Sequence, residues 1–365
     1  MRLMSKMAVG LTVLLGSASF GQTWLGNLSP TGVSDNKIVC GFTTPSSRAV
    51  VWEEGQITQL PYPSSGTCGF SRANSISRDG RVVVGLDGPS CGGDGYPAAW
   101  QRISQGNWLL VTFQLGSYGI ASTGGALDIA DNPSEEGVYY VLIGGYGPPF
   151  AGVARLSLSS NTATVVCIYT PDSGIGWGGL HSFGMNQSII SHPVQSDGRR
   201  VNFRSITTCS LYSDITYPTP VVDISNNGII LGQTWVELPL HRLVNLPLPS
   251  DAIAIQATDI SEDGNIIVGT ATLPDNYTRA VIWKRDGENY IAEYLGGPNL
   301  RTATAVSANG RYIVGKGINP STFVEEGYLF EMPEPCRLPT DIDGNGIVDD
   351  SDLLQVLFDF GRSCP

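Results

Sequence analysis

The chain has 365 residues, of which 41% are apolar and 15% charged, a composition typical of a folded globular protein. It carries 21 Lys and Arg against 33 Asp and Glu, a formal net charge of -12, and has no run of basic residues. This balance argues against binding to a nucleic-acid backbone, and the 45 glycines and 23 prolines argue against a helical bundle.

The N-terminus has the pattern of a secretory signal peptide. Arg2 and Lys6 precede a short apolar run at residues 7–15, and mostly small residues follow at 16–21. The run is too short to span a bilayer, which predicts a signal peptide at residues 1–21 that is removed on export. The alternatives are an uncleaved membrane anchor and a buried strand. No later segment has 18 uninterrupted apolar residues, so we expect a secreted protein, extracellular or at the cell surface, that does not span the membrane.

Export changes how the seven cysteines are interpreted. In an oxidising compartment they are expected to form disulfides, and the absence of a CxxC pattern gives little support for a zinc site. An odd number leaves one thiol unpaired or paired between chains. Cys336 and Cys364 bracket the acidic C-terminal tail and are predicted to pair. Spacing leaves the pairing of the other five open; they are Cys40, Cys68, Cys91, Cys167 and Cys209.

A repeat runs through the middle of the chain. Its first part is a polar turn of the type I-S-x-D/N-G followed by an apolar run that ends in Gly. Clear copies are SISRDGRVVVG at 75–85, DISNNGIILG at 223–232, DISEDGNIIVG at 259–269 and AVSANGRYIVG at 305–315. Looser copies lie at 32–41 and 128–144, and the copy at 183–191 is degenerate. The seven copies end on average about 46 residues apart, which is the length of a four-stranded propeller blade.

The residue types in the repeat predict β-hairpins. Asp-Gly and Asn-Gly favour the positive φ of a tight turn, the Val/Ile run suits a buried strand, and the closing Gly lets neighbouring backbones approach. We therefore predict an all-β fold, a β-propeller of seven blades, with a six- or eight-bladed ring or a split sandwich as alternatives. Fourth strands are predicted at residues 57–63, 110–116, 243–249 and 291–298. The seventh copy lacks one, and residues 22–28 are predicted to complete it and close the ring.

This pattern resembles the HAF-type extracellular repeats of exported bacterial proteins. The resemblance covers residues 22–330, and we place the propeller domain at 22–332. It implies a propeller fold and secretion, and it implies no reaction.

The C-terminal tail has the spacing of an EF-hand calcium loop. Residues 333–340 are proline-rich and are predicted to be a linker, and the module is placed at 341–365. Oxygen ligands recur at loop positions 1, 3, 5, 7, 9 and 12, which are Asp341, Asp343, Asn345, Ile347 (through its carbonyl), Asp349 and Asp352. Position 6 is Gly346, as the sharp turn requires, and position 12 is Asp where Glu is usual. We therefore predict Ca²⁺ as the cofactor, against the alternative of a solvated acidic turn.

A short amphipathic helix is predicted after the loop. Together they resemble one repeat of a type I dockerin and the single calcium modules that end many exported bacterial proteins. The resemblance implies that Asp350, Ser351, Leu354 and Phe358 meet a protein partner of the cohesin type. Dockerins carry two such repeats and this chain has one, so a cell-surface glycan stays an alternative partner. The apolar helix face has two further explanations, packing against the propeller and an undetected second copy of the chain.

No catalytic residue is predicted. The histidines, His181, His192 and His241, stand in no HExxH pattern, and there is no P-loop motif. Asp128, Asp223 and Asp259 recur at one position of the repeat, which indicates a structural role such as capping a turn. Six tryptophans are divided by register: Trp52, Trp100 and Trp283 recur and are predicted core anchors, whereas Trp108, Trp177 and Trp235 fall outside the register and are better candidates for a ligand surface.

These features predict a secreted, non-catalytic propeller that acts in binding or in attachment to a surface or complex through a calcium module. One alternative is an exported carbohydrate-active enzyme, a glycoside hydrolase or lyase, tethered through the same module. Carboxylates clustered at the channel would favour that enzyme, and an apolar or amide-lined channel would favour the binding protein. A structural envelope protein is a further alternative.

Overall fold

The computed structural model describes residues 21–61, 70–88, 96–114, 124–145, 151–169, 185–193, 199–333, 350 and 353–354. These residues form 28 β-strands in seven sheets, and only 350, 353 and 354 are helical. The predicted all-β fold and the seven blades are therefore confirmed.

The first two blades are four-stranded antiparallel sheets. Strand β1 (Gly21–Trp24) opens the chain and joins the last blade. Blade 1 contains β2 (Leu28–Val33), β3 (Val39–Thr43), β4 (Ala49–Glu53) and β5 (Gln56–Gln59). Blade 2 contains β6 (Phe70–Ile76), β7 (Val82–Gly88), β8 (Tyr96–Ser104) and β9 (Asn107–Leu110).

Blades 3 and 4 depart from the four-stranded pattern. Blade 3 contains β10 (Thr112–Gln114), β11 (Gly124–Asp131), β12 (Val138–Gly145), β13 (Ala151–Ser157) and β14 (Thr162–Tyr169). Blade 4 contains β15 (Ile189–Pro193), β16 (Arg200–Ser205) and β17 (Leu211–Thr216). In blade 4 a single bridge from Met185 to Ile190 stands where the other blades have their first strand.

The last three blades are again four-stranded. Blade 5 contains β18 (Val221–Ile224), β19 (Ile230–Gly232), β20 (Trp235–Leu238) and β21 (Arg242–Asn245). Blade 6 contains β22 (Ala254–Ile260), β23 (Ile266–Thr272), β24 (Thr278–Asp286) and β25 (Asn289–Tyr294). Blade 7 contains β26 (Leu300–Val306), β27 (Tyr312–Ile318), β28 (Glu325–Glu331) and β1.

The N-terminal strand closes the ring. β1 pairs antiparallel with β28, with Gln22 opposite Phe330 and Trp24 opposite Tyr328. This confirms that the segment after residue 21 completes the seventh blade, although the strand is shorter than residues 22–28 because Leu28 already begins β2.

The fourth strand predicted for blade 2 at residues 110–116 was wrong in part. Blade 2 ends with β9, and the following residues 112–114 cross to blade 3, where β10 pairs in parallel with β14. The apolar pattern at 110–116 marks a strand correctly but carries no information about which sheet edge it joins.

The core lies between blades. Seven separate clusters of buried side chains each join two neighbouring blades, including blades 7 and 1. Alternate residues of one strand serve opposite interfaces: Val83 packs toward blade 1, and Val82 and Val84 pack toward blade 3. Each sheet is therefore covered on both faces, as the continuous Val/Ile runs require.

The glycine that ends the apolar run is needed for space. A Cβ at Gly85 would overlap the carbonyl oxygen of Arg72 in the neighbouring first strand, and one at Gly315 would overlap the carbonyl oxygen of Thr302. The closing Gly therefore lets the second strand of a blade lie against the first, as predicted.

One disulfide lies within the described residues. Cys167 of blade 3 and Cys209 of blade 4 are bonded, with Cα atoms 5.8 Å apart, whereas Cys40 is free and buried. The predicted pair Cys336–Cys364 lies outside the described residues, as do Cys68 and Cys91. No helix in the described part of the chain is long and apolar enough to cross a bilayer.

Candidate functional site: the axial cavity

The first strands of the blades surround a polar cavity. Neighbouring first strands, β2, β6, β11, β18, β22 and β26, contact one another around much of the ring. They enclose a cavity of about 250 Å³ on the axis, lined by the last residues of each strand.

A β-bulge in each of these strands turns one extra side chain toward the ring. In six blades the pairing with the second strand skips one residue shortly before the end of the first strand, and blade 7 also skips Arg301 near its start. The residues skipped near the strand ends are Thr31, Asn74, Leu127, Val222, Thr258 and Thr304. A bulge leaves its extra residue free of the ladder, so its side chain is available for other bonds.

Four of these bulge residues tie neighbouring blades together. Each donates a side-chain hydrogen bond to a carbonyl just before the next blade's bulge. The bonds are Thr31 Oγ1 to Ala73 O (2.9 Å), Asn74 Nδ2 to Ala126 O (2.8 Å), Thr258 Oγ1 to Ala303 O (2.9 Å) and Thr304 Oγ1 to Pro30 O (3.0 Å). The bulge residues of blades 3 and 5, Leu127 and Val222, are apolar and make no such bond.

Three carboxyl groups follow the bulges of blades 3, 5 and 6. Asp128, Asp223 and Asp259 each accept the N–H of the next residue, at 2.9, 2.7 and 2.9 Å. All three line the cavity, so some of their surface remains exposed although they lie deep inside the ring.

The same carboxyl groups link blades. Ser75 Oγ of blade 2 donates to Asp128 Oδ1 of blade 3 at 2.9 Å. Asp259 Oδ2 of blade 6 accepts the Val306 N–H of blade 7 at 2.7 Å. Carboxyl oxygens therefore hold blades 2 and 3 together, and also blades 6 and 7.

Burial raises the pKa of all three groups, because removal from water disfavours the charged form. The pKa of Asp128 rises to about 7, with the Ile129 N–H and Ser75 opposing the rise. Burial and the charges of Asp259 and Asp128 raise the pKa of Asp223 well above its usual value. Burial raises the pKa of Asp259 to about 6, and the neighbouring Asp223 side chain and the N–H groups of Val306 and Ile260 limit the rise.

An arginine spans the mouth of the cavity. Arg78 of blade 2 donates to Asp35 of blade 1 at 2.9 Å and to Glu262 of blade 6 at 3.3 Å. Beside it, burial and the neighbouring carboxylates raise the pKa of Asp131 to about 7, and burial raises that of Glu262. One guanidinium thus faces three carboxyl groups at the mouth.

The carboxyl groups described around the cavity are not arranged as a metal site. Among the residues that the structure describes, no three His, Cys, Asp or Glu side chains are arranged to hold an ion. The axial carboxyls could exchange protons, but most of their oxygens already accept bonds from the protein.

The predicted calcium site cannot be compared with the structure. Asp341, Asp343, Asn345, Ile347, Asp349 and Asp352 lie outside the described residues, as do Ser351 and Phe358 of the predicted docking set. Of that set, Asp350 and Leu354 are described: both are helical and exposed.

The tryptophans that recur at one position of the repeat were predicted correctly as core residues. The two described tryptophans outside that position were wrongly assigned to a ligand surface. Trp52, Trp100 and Trp283 are buried core residues, as expected. Trp108 and Trp235, proposed for a ligand surface, are only 6% and 1% exposed. Trp108 packs between blades 1 and 2, and Trp235 stacks on Tyr217 at 4.7 Å between blades 4 and 5. Trp177 lies outside the described residues.

The histidines do not reach the cavity where the structure describes them. His241 lies in the turn after β20, with its side chain 84% exposed and its Nδ1 2.5 Å from Glu237. His181 and the side chain of His192 lie outside the described part.

Sequence reasoning missed the bulge residues and Arg78. The sequence does mark the bulge residues. In four copies of the repeat, a Thr or Asn stands two residues before the Ile or Val that precedes the serine of the turn. Their partners come from the next blade, which a single repeat cannot indicate.

No protein-family model matches the sequence, and no curated protein matches it. Solved structures do match at the level of fold. A chain in the crystal structure of the mitotic checkpoint complex has a TM-score of 0.51 and 13% identity, covering 90% of this chain and 99% of its own. A putative 6-phosphogluconolactonase from Bacteroides uniformis (TM-score 0.48, 14% identity) covers 80% and 94% of the two chains. The Cps50 β-propeller domain of Myceliophteria thermophila (0.46, 11%) covers 86% and 99%. At 13% identity the first of these likenesses shows similarity of fold alone.

Proposed function

We propose that the protein is an exported, non-catalytic β-propeller that acts in binding, and that a calcium-loaded C-terminal module attaches it to a surface or complex.

The hydrogen bonding of the axial carboxyl groups carries the non-catalytic part of the proposal. Both oxygens of Asp259 accept backbone N–H groups, and Asp128 Oδ1 holds two donors. A general acid or base needs an oxygen within reach of a substrate, and these oxygens are engaged by the scaffold.

Export is supported by two features. The N-terminal pattern is that of a signal peptide, and the Cys167–Cys209 disulfide is of a kind that persists in oxidising compartments.

Attachment is supported by the tail. The loop from Asp341 to Asp352 offers oxygen ligands at all six positions of a calcium loop. The exposed Leu353 and Leu354 leave an apolar surface next to it, suited to a protein partner of the cohesin type. A cell-surface glycan is the alternative partner.

The test is a calorimetric titration of Ca²⁺ into the chain from residue 22 to 365. We expect one saturable site that is lost in the double variant Asp341→Ala, Asp352→Ala. A matched control, Asp275→Ala with Asp286→Ala, removes two exposed carboxylates of the propeller and should leave binding unchanged. Absence of binding by the unaltered chain would refute the calcium module.

A second function is favoured by one observation. The channel does carry a carboxyl cluster, Asp128, Asp223 and Asp259, as an exported carbohydrate-active enzyme would need.

This candidate is tested by the release of reducing ends and unsaturated sugars from a panel of neutral and acidic polysaccharides. Turnover that disappears in Asp223→Asn and persists in the control Asp286→Asn would establish the enzyme. No product from the panel with the unaltered chain would support the binding protein.

A further inference from the structure

A groove lies between the outer strands of blades 6 and 7. It has a volume of about 500 Å³, and its lining includes the buried side chains of Leu295 and Phe330 and the half-buried Met332. Gln22, the second residue of β1, also lines it, as does Pro333 at the end of the described propeller. The groove is therefore within reach of the chain segments that precede and follow the propeller.

Two other blades show what fills the corresponding place. In blade 2, Trp108 of the fourth strand lies opposite Arg102, and in blade 6, Tyr290 lies opposite Arg285. These two aromatic residues are only 6% and 5% exposed. Trp108 packs in the cluster between blades 1 and 2, and Tyr290 packs in the cluster between blades 5 and 6. An aromatic residue at this position of the fourth strand therefore fills the space against the preceding blade.

Blade 7 has the same backbone arrangement at this position. In all three blades the residue of the third strand that lies opposite, or would lie opposite, the aromatic residue donates its N–H to the residue after the turn glycine. The bonds are Arg102 N to Arg81 O, Arg285 N to Asn265 O and Met332 N to Arg311 O, each 2.8 Å long. Met332 is therefore the counterpart of Arg102 and Arg285.

The register of β1 identifies the residue that faces Met332. β1 pairs Gly21 with Glu331, so one further step of the antiparallel ladder places residue 20 opposite Met332. Residue 20 is Phe. Side chains two positions apart in a strand face the same side, and Gln22 lines the groove, so the same direction takes the ring of Phe20 into it.

We propose that Phe20 extends β1 by one residue and packs its ring into the groove between blades 6 and 7, and that the exported chain therefore keeps Phe20. The signal peptide then ends at Ser19, two residues before the boundary expected from the sequence. The small residues Ser17 and Ser19 stand third and first before this cut, as a signal peptidase requires. The position of the cut rests on the proposed export, whereas the packing of Phe20 does not.

The packing is tested by urea unfolding, with EDTA present, of the chain from residue 20 to 365. Phe20→Ala should lower the folded-to-unfolded ratio at least about tenfold, because it removes a buried ring and leaves a cavity. Phe20→Tyr introduces the residue type of blade 6 and should stay within about threefold. Phe20→Leu should fall between the two, and it gives the measurement if the Ala variant does not fold. The control, Phe323→Ala, removes an exposed ring and should change the ratio less than about threefold.

A double-variant cycle locates the ring. Phe20→Ala and Met332→Ala should be coupled by at least about threefold in the same ratio, because the two side chains are in contact. Phe20→Ala and Ile57→Ala, which changes an exposed residue of blade 1, should be additive. Additive effects of Phe20 and Met332 would overturn the proposal.

The other candidate for the groove is the segment that follows Pro333. If that segment filled it, Phe20→Ala would leave the stability unchanged, and a chain from residue 20 to 333 would be less stable than the chain to 365. This pair of results would also overturn the proposal.

The cut is read from the N-terminal sequence of the protein that a secreting host exports from the chain 1–365. We expect Phe20 as the first residue. A mature chain that begins after residue 20 would refute the retention of Phe20, and one that begins earlier would support its retention but refute Ser19 as the end of the signal peptide.

Discussion

At the scale of single residues, the serine of I-S-x-D/N-G organises the turn. In five blades it is fully or nearly buried, and its Oγ donates to the Asx side chain two residues later while accepting a backbone N–H four or five residues later. These serines are Ser34, Ser77, Ser225, Ser261 and Ser307. The serine therefore recurs in five blades because the buried turn uses its hydroxyl group as both donor and acceptor.

We predict that Ser261→Ala lowers the free energy of unfolding by about 1 kcal/mol, because it leaves the half-buried N–H of Ile266 without its acceptor at 3.0 Å. Urea unfolding at pH 7 measures the change. Ser321→Ala, an exposed serine, is the matched control and should lie within about 0.5 kcal/mol of the unaltered chain. Equal effects in the two variants would mean that the hydroxyl of Ser261 is not part of the turn.

Positive φ is supplied mostly by glycine at these turns. Gly80, Gly228, Gly264 and Gly310 have φ between 68° and 81°. Blade 1 has Lys37 there instead, with φ 69°, and its Nζ bonds to Glu331 of blade 7 at 2.8 Å. A long side chain at this turn thus adds a contact across the point where the ring closes.

At the scale of elements, closure depends on a four-residue strand. β1 joins blade 7 through the register Gly21–Glu331 to Trp24–Tyr328, and without it β28 would present an open edge.

We predict that a chain starting at residue 26 unfolds at a lower temperature than a chain starting at residue 21 and self-associates more. The loss of one strand also exposes part of the core around Leu300 and Phe330. Calorimetric melting and light scattering measure the two effects. A chain that runs from residue 21 to residue 333 is the control, because it is shortened at the C-terminus and keeps β1. Unchanged melting of the chain from 26 would show that another segment closes the ring.

The disulfide strengthens the weakest part of the ring. Blade 4 has three strands and a bridge, and Cys209 ties it to blade 3 across a sequence separation of 42. Replacing both Cys167 and Cys209 with Ser should cost about 4 kcal/mol by the loop-entropy relation. Urea unfolding without reductant gives the value. A cost near zero would mean that blade 4 is held as firmly by its packing alone.

At the scale of the whole molecule, the repeat made the architecture predictable. Each clear copy contains its own turn and its own closing Gly, so blade number and ring closure followed from counting copies and noticing the incomplete seventh one. Blade 4 was the weakest copy, and it is also the blade without a regular first strand.

The axial site was less predictable because its partners belong to different copies. The sequence marked Asp128, Asp223 and Asp259 as structural, but the bonds from Ser75 to Asp128 and from the Val306 N–H to Asp259 exist only once the ring brings neighbouring blades together. The same limit applies to β10, whose edge on blade 3 is chosen by tertiary packing, and to Trp235, which is buried by Tyr217 of the preceding blade.

We infer that the axial polar groups hold the closed seven-bladed ring together. Native-state hydrogen exchange can test this at the four backbone N–H groups that donate to the axial carboxyl groups, those of Ile129, Ile224, Ile260 and Val306. We predict that these amides exchange only through global unfolding, so their protection falls with urea in parallel with the stability of the whole chain. Exchange of the Ile260 and Val306 amides as fast as that of amides in exposed turns would contradict the account.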